Sequence, residues 1–432
     1  MRTRNAFTLL AVALLVLPAL AWAGGQKESA QAQKVTIKIA DNLPNRTNGM
    51  GLVTQTILDN FTKSHPNVAF EVESYPDQPY QQKMKLYATA GQLPEIFKYW
   101  SFSTLLKPLV DSKLVRELDR SDYADINYLP GALDSNVYGG KLYGIPVTAD
   151  MWFFYYNKRL MQQAGVAIPA TIDDLVVSIP KFKALGIIPV VTDGKDAWPL
   201  SITYDAIVER LTGSFDTVHQ ALDRKTKFTD APFLHAAQIL QHMAKAGLFQ
   251  EDLITSDYGA SRNLFGQEKA AMYIMGSWEL GLVTDQNFPQ SFRDNVELFK
   301  FPLVAGGKGK PDDLVAWYGG NWVLGANSKN PDLDREFLKY LAHQWGKLTW
   351  DKQAAIPAER IQPNPSDTPL SKAILGLGNA ATATSGTTTL DLSTPAFKEE
   401  HQKLCRELVS GVLTPEQFTR ELDAAAAQAA AE

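Results

Sequence analysis

Catalysis and metal binding need titratable or nucleophilic groups at set spacings, and this chain of 432 residues offers few such arrangements. Its histidines, His65, His219, His235, His242, His343 and His401, include no H-E-x-x-H or comparable pair with ligand spacing. Gly306-Gly307-Lys308-Gly309-Lys310 resembles a phosphate loop in composition only, because the G-x-x-x-x-G-K-[ST] spacing and the helix that should follow are missing. Gly276-Ser277-Trp278-Glu279-Leu280-Gly281 fails the G-x-S-x-G pattern of a nucleophile elbow. Asp173-Asp174 falls in the first turn of a helical pattern, where carboxylates complement the helix dipole. No catalytic residue, metal site or cofactor is expected.

The tryptophans carry more information. Trp100 precedes Ser101, Trp152 and Trp198 each follow an aspartate (Asp150, Asp196) by two positions, Trp278 follows Ser277, and Trp317 precedes Tyr318. Rigid aromatic faces flanked by hydrogen-bonding groups suit ligands with apolar C–H faces and hydroxyl edges, as sugar rings have. A tryptophan is also a common core residue. Trp345, on the apolar face of a helical pattern, is assigned to the core, and Trp322, leading into Val323 and Leu324, reads as core too.

Such residues must be positioned by regular elements. Val35, Ile37 and Ile39 alternate as in a strand, and Val53, Ile57, Leu58 and Phe61 mark one helix face. Val68, Phe70 and Val72 form a second strand, Tyr80 to Ala90 a second helix ended by Gly91, and Ile96-Phe97 a third strand. That is a βαβαβ unit, which implies parallel pairing with ligands beyond the carboxyl ends of the strands, where Asp41-Asn42 and Tyr99-Trp100-Ser101 lie. Further on, Thr171 with Asp174 reads as a capping box, and Ile187 to Val191 as a buried strand. Helices are expected from Pro232 to Ala246, from Asn330-Pro331 with Leu333, Phe337, Leu341 and Trp345 on one face, and from Thr414-Pro415 with Gln417. Gly376 to Thr389, rich in Ala, Thr and Gly, reads as a loop, and the alanine-rich tail from Ala424 as frayed helix.

At the N-terminus Arg2 and Arg4 precede an apolar run from Phe7 to Leu20 and then Ala21-Trp22-Ala23, the layout of a secretory signal cleaved after Ala23. No cysteine near that site could carry a lipid, so a soluble exported protein is expected. Net charge is −5 over the whole chain, and loss of two arginines makes it more acidic. That balance, with no run of basic residues, speaks against a nucleic-acid partner. The single cysteine, Cys405, shares a helical pattern with Leu404, Leu408 and Val412 and forms no intramolecular disulfide. It reads as a half-buried small residue, and stability must come from two sizeable cores.

Specific strings add a family resemblance. Gly140-Lys141-Leu142-Tyr143-Gly144-Ile145-Pro146, then Phe154-Tyr155-Tyr156-Asn157-Lys158, Ala164-Gly165-Val166 and Pro169-Ala170-Thr171, occur in that order. They are followed by Lys269-Ala270-Ala271-Met272, Gly276-Ser277-Trp278, Gly319-Gly320-Asn321-Trp322-Val323-Leu324 and Phe337-Leu338-Lys339-Tyr340-Leu341. Together they resemble the extracellular solute-binding proteins of ABC transporters, the sugar-binding family that includes the maltose-binding protein, over nearly the whole mature chain. The resemblance implies a two-lobed α/β periplasmic-binding-protein fold, with residues 34–147 and 305–352 in one lobe and residues 148–304 and 353–428 in the other. The chain would cross near Pro146 to Ala149, Phe301 to Val304 and Lys352 to Pro357.

The resemblance further implies a carbohydrate bound in the cleft by hinge closure, a monomer, and ABC transporter membrane permease subunits as partner. It places Asn42, Trp100, Asp150, Trp278, Trp317, Gly319 and Asn321 at the cleft, with Tyr99, Ser101, Trp152 and Trp198 beside them. Rival readings are the same fold with a polyamine, peptide or metal chelate, and an exported carbohydrate-active enzyme. The first should show several cleft carboxylates or Arg and Tyr clusters; the second, two carboxylates flanking a glycosidic bond. A receptor that reports its ligand to a sensor would use the same binding chemistry.

Overall fold

The computed structural model describes residues 34–102, 104–381, 383–386 and 393–431; the leader expected at residues 1–23 lies outside them. The chain opens with β1 (Val35–Asp41), α1 (Gly49–Ser64), β2 (Val68–Ser74), α2 (Asp77–Ala90), β3 (Ile96–Trp100) and α3 (Leu106–Asp111). Short strands β4 (Val137–Tyr138), β5 (Lys141–Leu142) and β6 (Ile145–Pro146) lead to β7 (Ala149–Asn157), α4 (Lys158–Ala164), α5 (Ile172–Lys183) and β8 (Ile188–Val191). Then come α6 (Trp198–Thr212), α7 (Asp216–Leu222), α8 (Ala231–Lys245), α9 (Tyr258–Gly266), β9 (Ala270–Gly276), α10 (Gln290–Arg293) and β10 (Val296–Lys300). The chain finishes with β11 (Asp313–Tyr318), β12 (Gly320–Leu324), α11 (Pro331–Asp351), α12 (Pro369–Ala380), β13 (Ala383–Gly386), α13 (Pro395–Ser410) and α14 (Pro415–Ala429).

Two sheets organise these elements. The first has the order β2-β1-β3-β12-β6, with β1 parallel to β2 and β3 and with β12 antiparallel to β3. The second has the order β13-β11-β7-β9-β8, with β10 also paired to β7. Each has its own apolar interior. Ile37, Ile39, Ile57, Phe61, Trp322 and Trp345 are buried around the first sheet, and Phe153, Tyr155, Leu240, Met272, Ile274 and Phe418 around the second. The expected parallel βαβαβ unit is therefore present, and the carboxyl ends of β1 and β3 carry Asn42 and Trp100 to one edge.

Local signals formed as their chemistry requires. Thr171 with Asp174 and Thr414 with Gln417 close reciprocal capping boxes, and Gly91 ends α2 at φ 64°. Three readings are corrected. Within Gly376 to Thr389, of which residues 382 and 387–389 lie outside the described residues, α12 runs to Ala380 and β13 pairs in parallel with β11, which no local pattern announces. The alanine-rich tail stays helical to Ala429 because Leu422 and Ala426 pack into the core. Cys405 is wholly rather than half buried, whereas Val412 lies past the end of α13 and is exposed.

The chain passes between the sheets three times. Val147 and Thr148 join β6 to β7, and residues 353–360 run back beside them, with Ala149 N donating to Ile356 O at 3.0 Å and Ala358 N to Val147 O at 3.2 Å. The middle crossing is not near Phe301 to Val304. Leu303 pairs with Ala170 and Ile172, and β11 joins β7 in the second sheet (Trp317 opposite Asp150), so the chain recrosses only at Gly319. Residues 305–318 thus belong with the second sheet, because strand pairing rather than sequence order assigns them.

Trp345 does more than fill the first core. It is 1% exposed, packs on Trp322 at 5.9 Å, and its Nε1 donates to Val147 O at 3.0 Å, tying α11 to the first crossing. Trp345→Phe is expected to lower stability by about 1–3 kcal/mol, the cost of leaving a buried carbonyl one bond short. Urea unfolding followed by far-UV circular dichroism measures it.

Candidate functional site

A cavity of about 730 Å³ lies between the two sheets, and side chains from both line it. Its second-sheet wall is aromatic. Trp278 stands on the turn after β9, Trp198 at the start of α6, Trp317 on β11 and Tyr258 at the start of α9. Ring centroids are 5.8 Å apart for Trp198 and Trp278, 6.1 Å for Trp278 and Trp317, and 6.4 Å for the stacked Trp198 and Tyr258. Trp152 backs this wall from the core, 5.9 Å from Trp198 and 6.2 Å from Trp278.

Local sequence holds these rings in place. A Cβ on Gly276 would sit 2.1 Å from the Trp278 ring, so only glycine lets the indole fold back over the strand end. Ser277 Oγ accepts from Met151 N at 3.1 Å and donates to Ala149 O at 3.3 Å, which pins the turn to β7. Below the wall, Arg262 donates to Glu279 Oε2 and Asp285 Oδ2, both at 2.9 Å, and Tyr258 donates to Glu279 Oε1. Burial opposes the Arg262 charge, but Glu279, Tyr258 and Asp285 outweigh it and raise the guanidinium pKa.

The first-sheet side is smaller and more polar. Trp100 ends β3, with Lys98 Nζ 5.5 Å from its ring centroid. Lys98 donates to Asn42 Oδ1 at 3.1 Å, and Asn42 Nδ2 donates to Asp77 Oδ1 at 3.3 Å. Burial pushes Asp77 up to about 6, with Lys398 opposing and Asp196 of the other wall adding. Burial likewise lowers the Lys98 pKa, against the pull of Asp150, Asp41 and Asp77.

Asp150 lies at the base of the cleft, 7% exposed, and its Oδ1 meets no protein donor. Burial raises it to about 7, with the Thr148 side chain and Lys98 opposing. Trp198 Nε1, also on the wall, has no protein acceptor. Both atoms are closed to solvent, and each is left short at a cost of about 1–3 kcal/mol.

The two sides also touch directly. Asn48, the N-cap of α1, donates through Nδ2 to Gly281 O at 3.0 Å and accepts from Thr284 Oγ1 at 3.3 Å. Lys398 of α13 donates to Gln81 of α2 at 3.5 Å, and Lys85 pairs with Glu399.

Of the residues expected at the cleft, Asn42, Trp100, Asp150, Trp198, Trp278 and Trp317 line the cavity, whereas Tyr99, Ser101, Trp152, Gly319 and Asn321 do not. Tyr99 packs against Phe97 at 5.9 Å and Trp100 at 5.7 Å in a second cluster on the first sheet, and of the two neighbours only Trp100 reaches the cavity. Asn321, opposite Tyr99 in the ladder, is fully buried beside Asn136. Ser101 Oγ donates to Tyr318 O at 2.8 Å, a bond within the recrossing. Gly319 acts by having no side chain: a Cβ there would lie 1.8 Å from Asp150 Oδ2.

The sequence reading missed Lys98, Asp77, Tyr258, Arg262, Glu279 and Lys398, all of which line the cavity. The two-residue period of β3 could have given Lys98 from Trp100, and helical spacing links Tyr258 to Arg262. Nothing local points to Lys398, which reaches the cleft from a helix near the end of the chain. Among the described residues, no group of three or more His, Cys, Asp or Glu side chains is placed to hold a metal ion.

Comparison with known proteins places this geometry in context. The family model described as bacterial extracellular solute-binding protein matches residues 44–343. The melibiose/raffinose/stachyose-binding protein MelE of Bacillus subtilis is 26% identical over 372 residues, which cover 82% of this chain and 81% of that one. An uncharacterized ABC transporter extracellular-binding protein of Pyrococcus horikoshii is 26% identical over 236 residues, 54% of each chain, so the match spans about half of that relative's length. A structure from work on xylan utilization by the thermophilic bacterium Caldanaerobius polysaccharolyticus superimposes with a TM-score of 0.81 at 28% identity, covering 90% of this chain and 99% of that one.

The Asp150 carboxyl makes a pH prediction. Its folded pKa, about 7, is above the unfolded value of 3.8, so the group favours the folded state fully below that lower value and loses this contribution as pH rises through 7. Asp150→Asn should therefore be more stable than the parent at pH 8 and no more stable at pH 3.5, in thermal melts without ligand. A parallel offset at both pH values would contradict the assignment.

Proposed function

Because the chain belongs to the bacterial extracellular solute-binding proteins, we propose that it captures an uncharged carbohydrate between its lobes and delivers it to the permease subunits of an ABC transporter. The carrying observation is the Trp198–Trp278–Trp317 wall with Trp100, Asn42, Lys98 and Asp150 lining the same cavity. Aromatic planes take the C–H faces of a sugar ring, and the polar groups take its hydroxyls. The sugars named for the Bacillus subtilis relative support the same reading.

In this reading the first lobe comprises residues 34–147 and 320–352, and the second residues 148–318 and 353–428. They rock about the three crossings, so a ligand touching both walls shifts the open and closed populations, as the general account of periplasmic binding proteins holds. The protein acts outside the cytoplasm as a soluble monomer after loss of residues 1–23, binds without chemical turnover, and uses no cofactor and no nucleic-acid partner.

A thermal-shift screen against neutral mono- and oligosaccharides, polyamines, amino acids and peptides tests this. A ligand at 100 times its Kd should stabilise the protein by about 2.7 kcal/mol. One sugar class raising the midpoint supports the proposal, and a response only to a cation or peptide overturns the ligand. Chromatography of oligosaccharides after incubation should find no hydrolysis products; their appearance would favour an enzyme.

Two substitutions probe the site. Trp278→Ala should weaken sugar binding by at least about 1 kcal/mol with the fold intact; unchanged affinity would remove Trp278 from the site. Asn48→Asp keeps an acceptor for the α1 cap but loses the donor to Gly281 O and brings a charge towards Asp285. It should weaken binding several-fold and enlarge the radius of gyration of the ligand-bound form in X-ray scattering, with little change in stability.

A further inference from the structure

Gly319 and Gly320 carry the chain from β11 into β12, and each is pressed against a charged group from a different sheet. A Cβ on Gly319 would lie 1.8 Å from Asp150 Oδ2, and one on Gly320 would lie 3.0 Å from Lys98 Nζ. The two glycines therefore let Asp150 of β7 and Lys98 of β3 approach the recrossing backbone from either side, at the base of the cleft.

Both groups are buried, Lys98 to 4% exposure and Asp150 to 7%, and both line the cavity. An ammonium has three donors, and Lys98 gives one to Asn42 Oδ1. Asp150 lines the same cavity, with its Oδ2 against Gly319. Above the raised Asp150 pKa of about 7, this base offers a ligand an acceptor carboxylate from the second sheet and a donor ammonium from the first.

Ligand chemistry separates on that arrangement. A hydroxyl both donates and accepts, so two adjacent ring hydroxyls can accept from Lys98 and donate to Asp150 together. A carboxylate would suit Lys98 but face the Asp150 charge, and an ammonium would suit Asp150 but face Lys98; either leaves a like-charge contact in a desolvated site.

We propose that Lys98 is a specificity-determining residue that reads, together with Asp150, two adjacent hydroxyls of one uncharged sugar ring. This rests on the carbohydrate reading above. It implies that the same ring bearing a carboxylate or a protonated amine is rejected, and that the two residues discriminate in opposite directions when separated.

Calorimetric titration of the mature protein tests it, with raffinose, stachyose, xylotriose and chitotriose as neutral probes. A glucuronate-bearing xylotriose and the fully de-acetylated chitosan trimer serve as charged counterparts. The parent should bind at least one neutral probe and reject its charged counterpart. Lys98→Met should weaken the neutral probe by about tenfold or more, as expected for a lost hydrogen bond to a charged group, and should narrow the gap to the amine-bearing trimer. Asp150→Asn should instead narrow the gap to the glucuronate-bearing sugar, and Lys98→Arg should restore part of the neutral affinity. Lys98→Gln replaces Lys98→Met if that variant fails to fold, as judged by its melting midpoint. Neutral-sugar binding that survives in the folded Lys98 variant with the charge preferences of the parent overturns this inference alone. Silence of the parent towards every sugar overturns the carbohydrate reading and this inference with it.

Discussion

The backbone pairing of Val147 to Ala149 with Ile356 to Ala358 is the constraint from which the rest of the molecule follows. These two segments lie side by side between the sheets, with Trp345 bonded to Val147 O. Their carbonyls and amides satisfy each other, so backbone that leaves both sheets is not left with unpaired buried groups. Because Ala149 begins β7 and Pro146 ends β6, this pairing sets the origin of both sheets at once and places Asp150 at the base of the cleft.

The third crossing adds a steric condition. Gly319 is narrow enough for Asp150 to approach, Gly320 for Lys98, and the ladder places Gly320 opposite Trp100 and Trp317 opposite Asp150. Two buried titratable groups, an aromatic plane from each sheet and the chain recrossing thus meet in one place. Relative motion of the sheets must change the spacing of these groups, which is why a ligand touching them is coupled to closure.

The same place is costly to the folded state. Burial raises Asp150 and Asp77 and lowers Lys98, each by disfavouring the charged form, and Asp150 Oδ1 and Trp198 Nε1 lack protein partners. Elsewhere in the second lobe the guanidinium groups of Arg210 and Arg262 have several partners each, although Glu209 Oε1 and Asp193 Oδ2 are also left short. Arg210, in α6, donates to the carbonyls of Phe301, Lys310 and Asp313 as well as to Glu209, and Arg262 is held between Glu279 and Asp285. The Arg262 ion pairs with Glu279 and Asp285, together with the Tyr258 bond to Glu279, brace the wall, since supporting groups fix the geometry of those that meet a ligand.

Much of this was legible in the chain itself, wherever the cause is local. Alternation in β1 and β2, the apolar face of α1, the Thr171 and Thr414 caps, the glycine after α2 and the core assignment of Trp345 all follow from periods and dihedral preferences acting over a few residues. Six of the eleven expected cleft residues line the cavity, four of them tryptophans beside polar neighbours, although the same signal also chose Trp152, which is core. Tertiary structure decided the rest. Which face of β3 looks into the cleft separated Trp100 from Tyr99, pairing with β7 moved residues 305–318 into the second sheet, and β13 found β11 across more than sixty intervening residues. Lys98 shares the strand period of Trp100, but its approach to Gly320 depends on β12, and Lys398 became a cleft residue only when α13 packed near α2. Strand partners and the lining of a cavity are set by contacts between distant segments, whose energies depend on what lies opposite, and no local pattern encodes that.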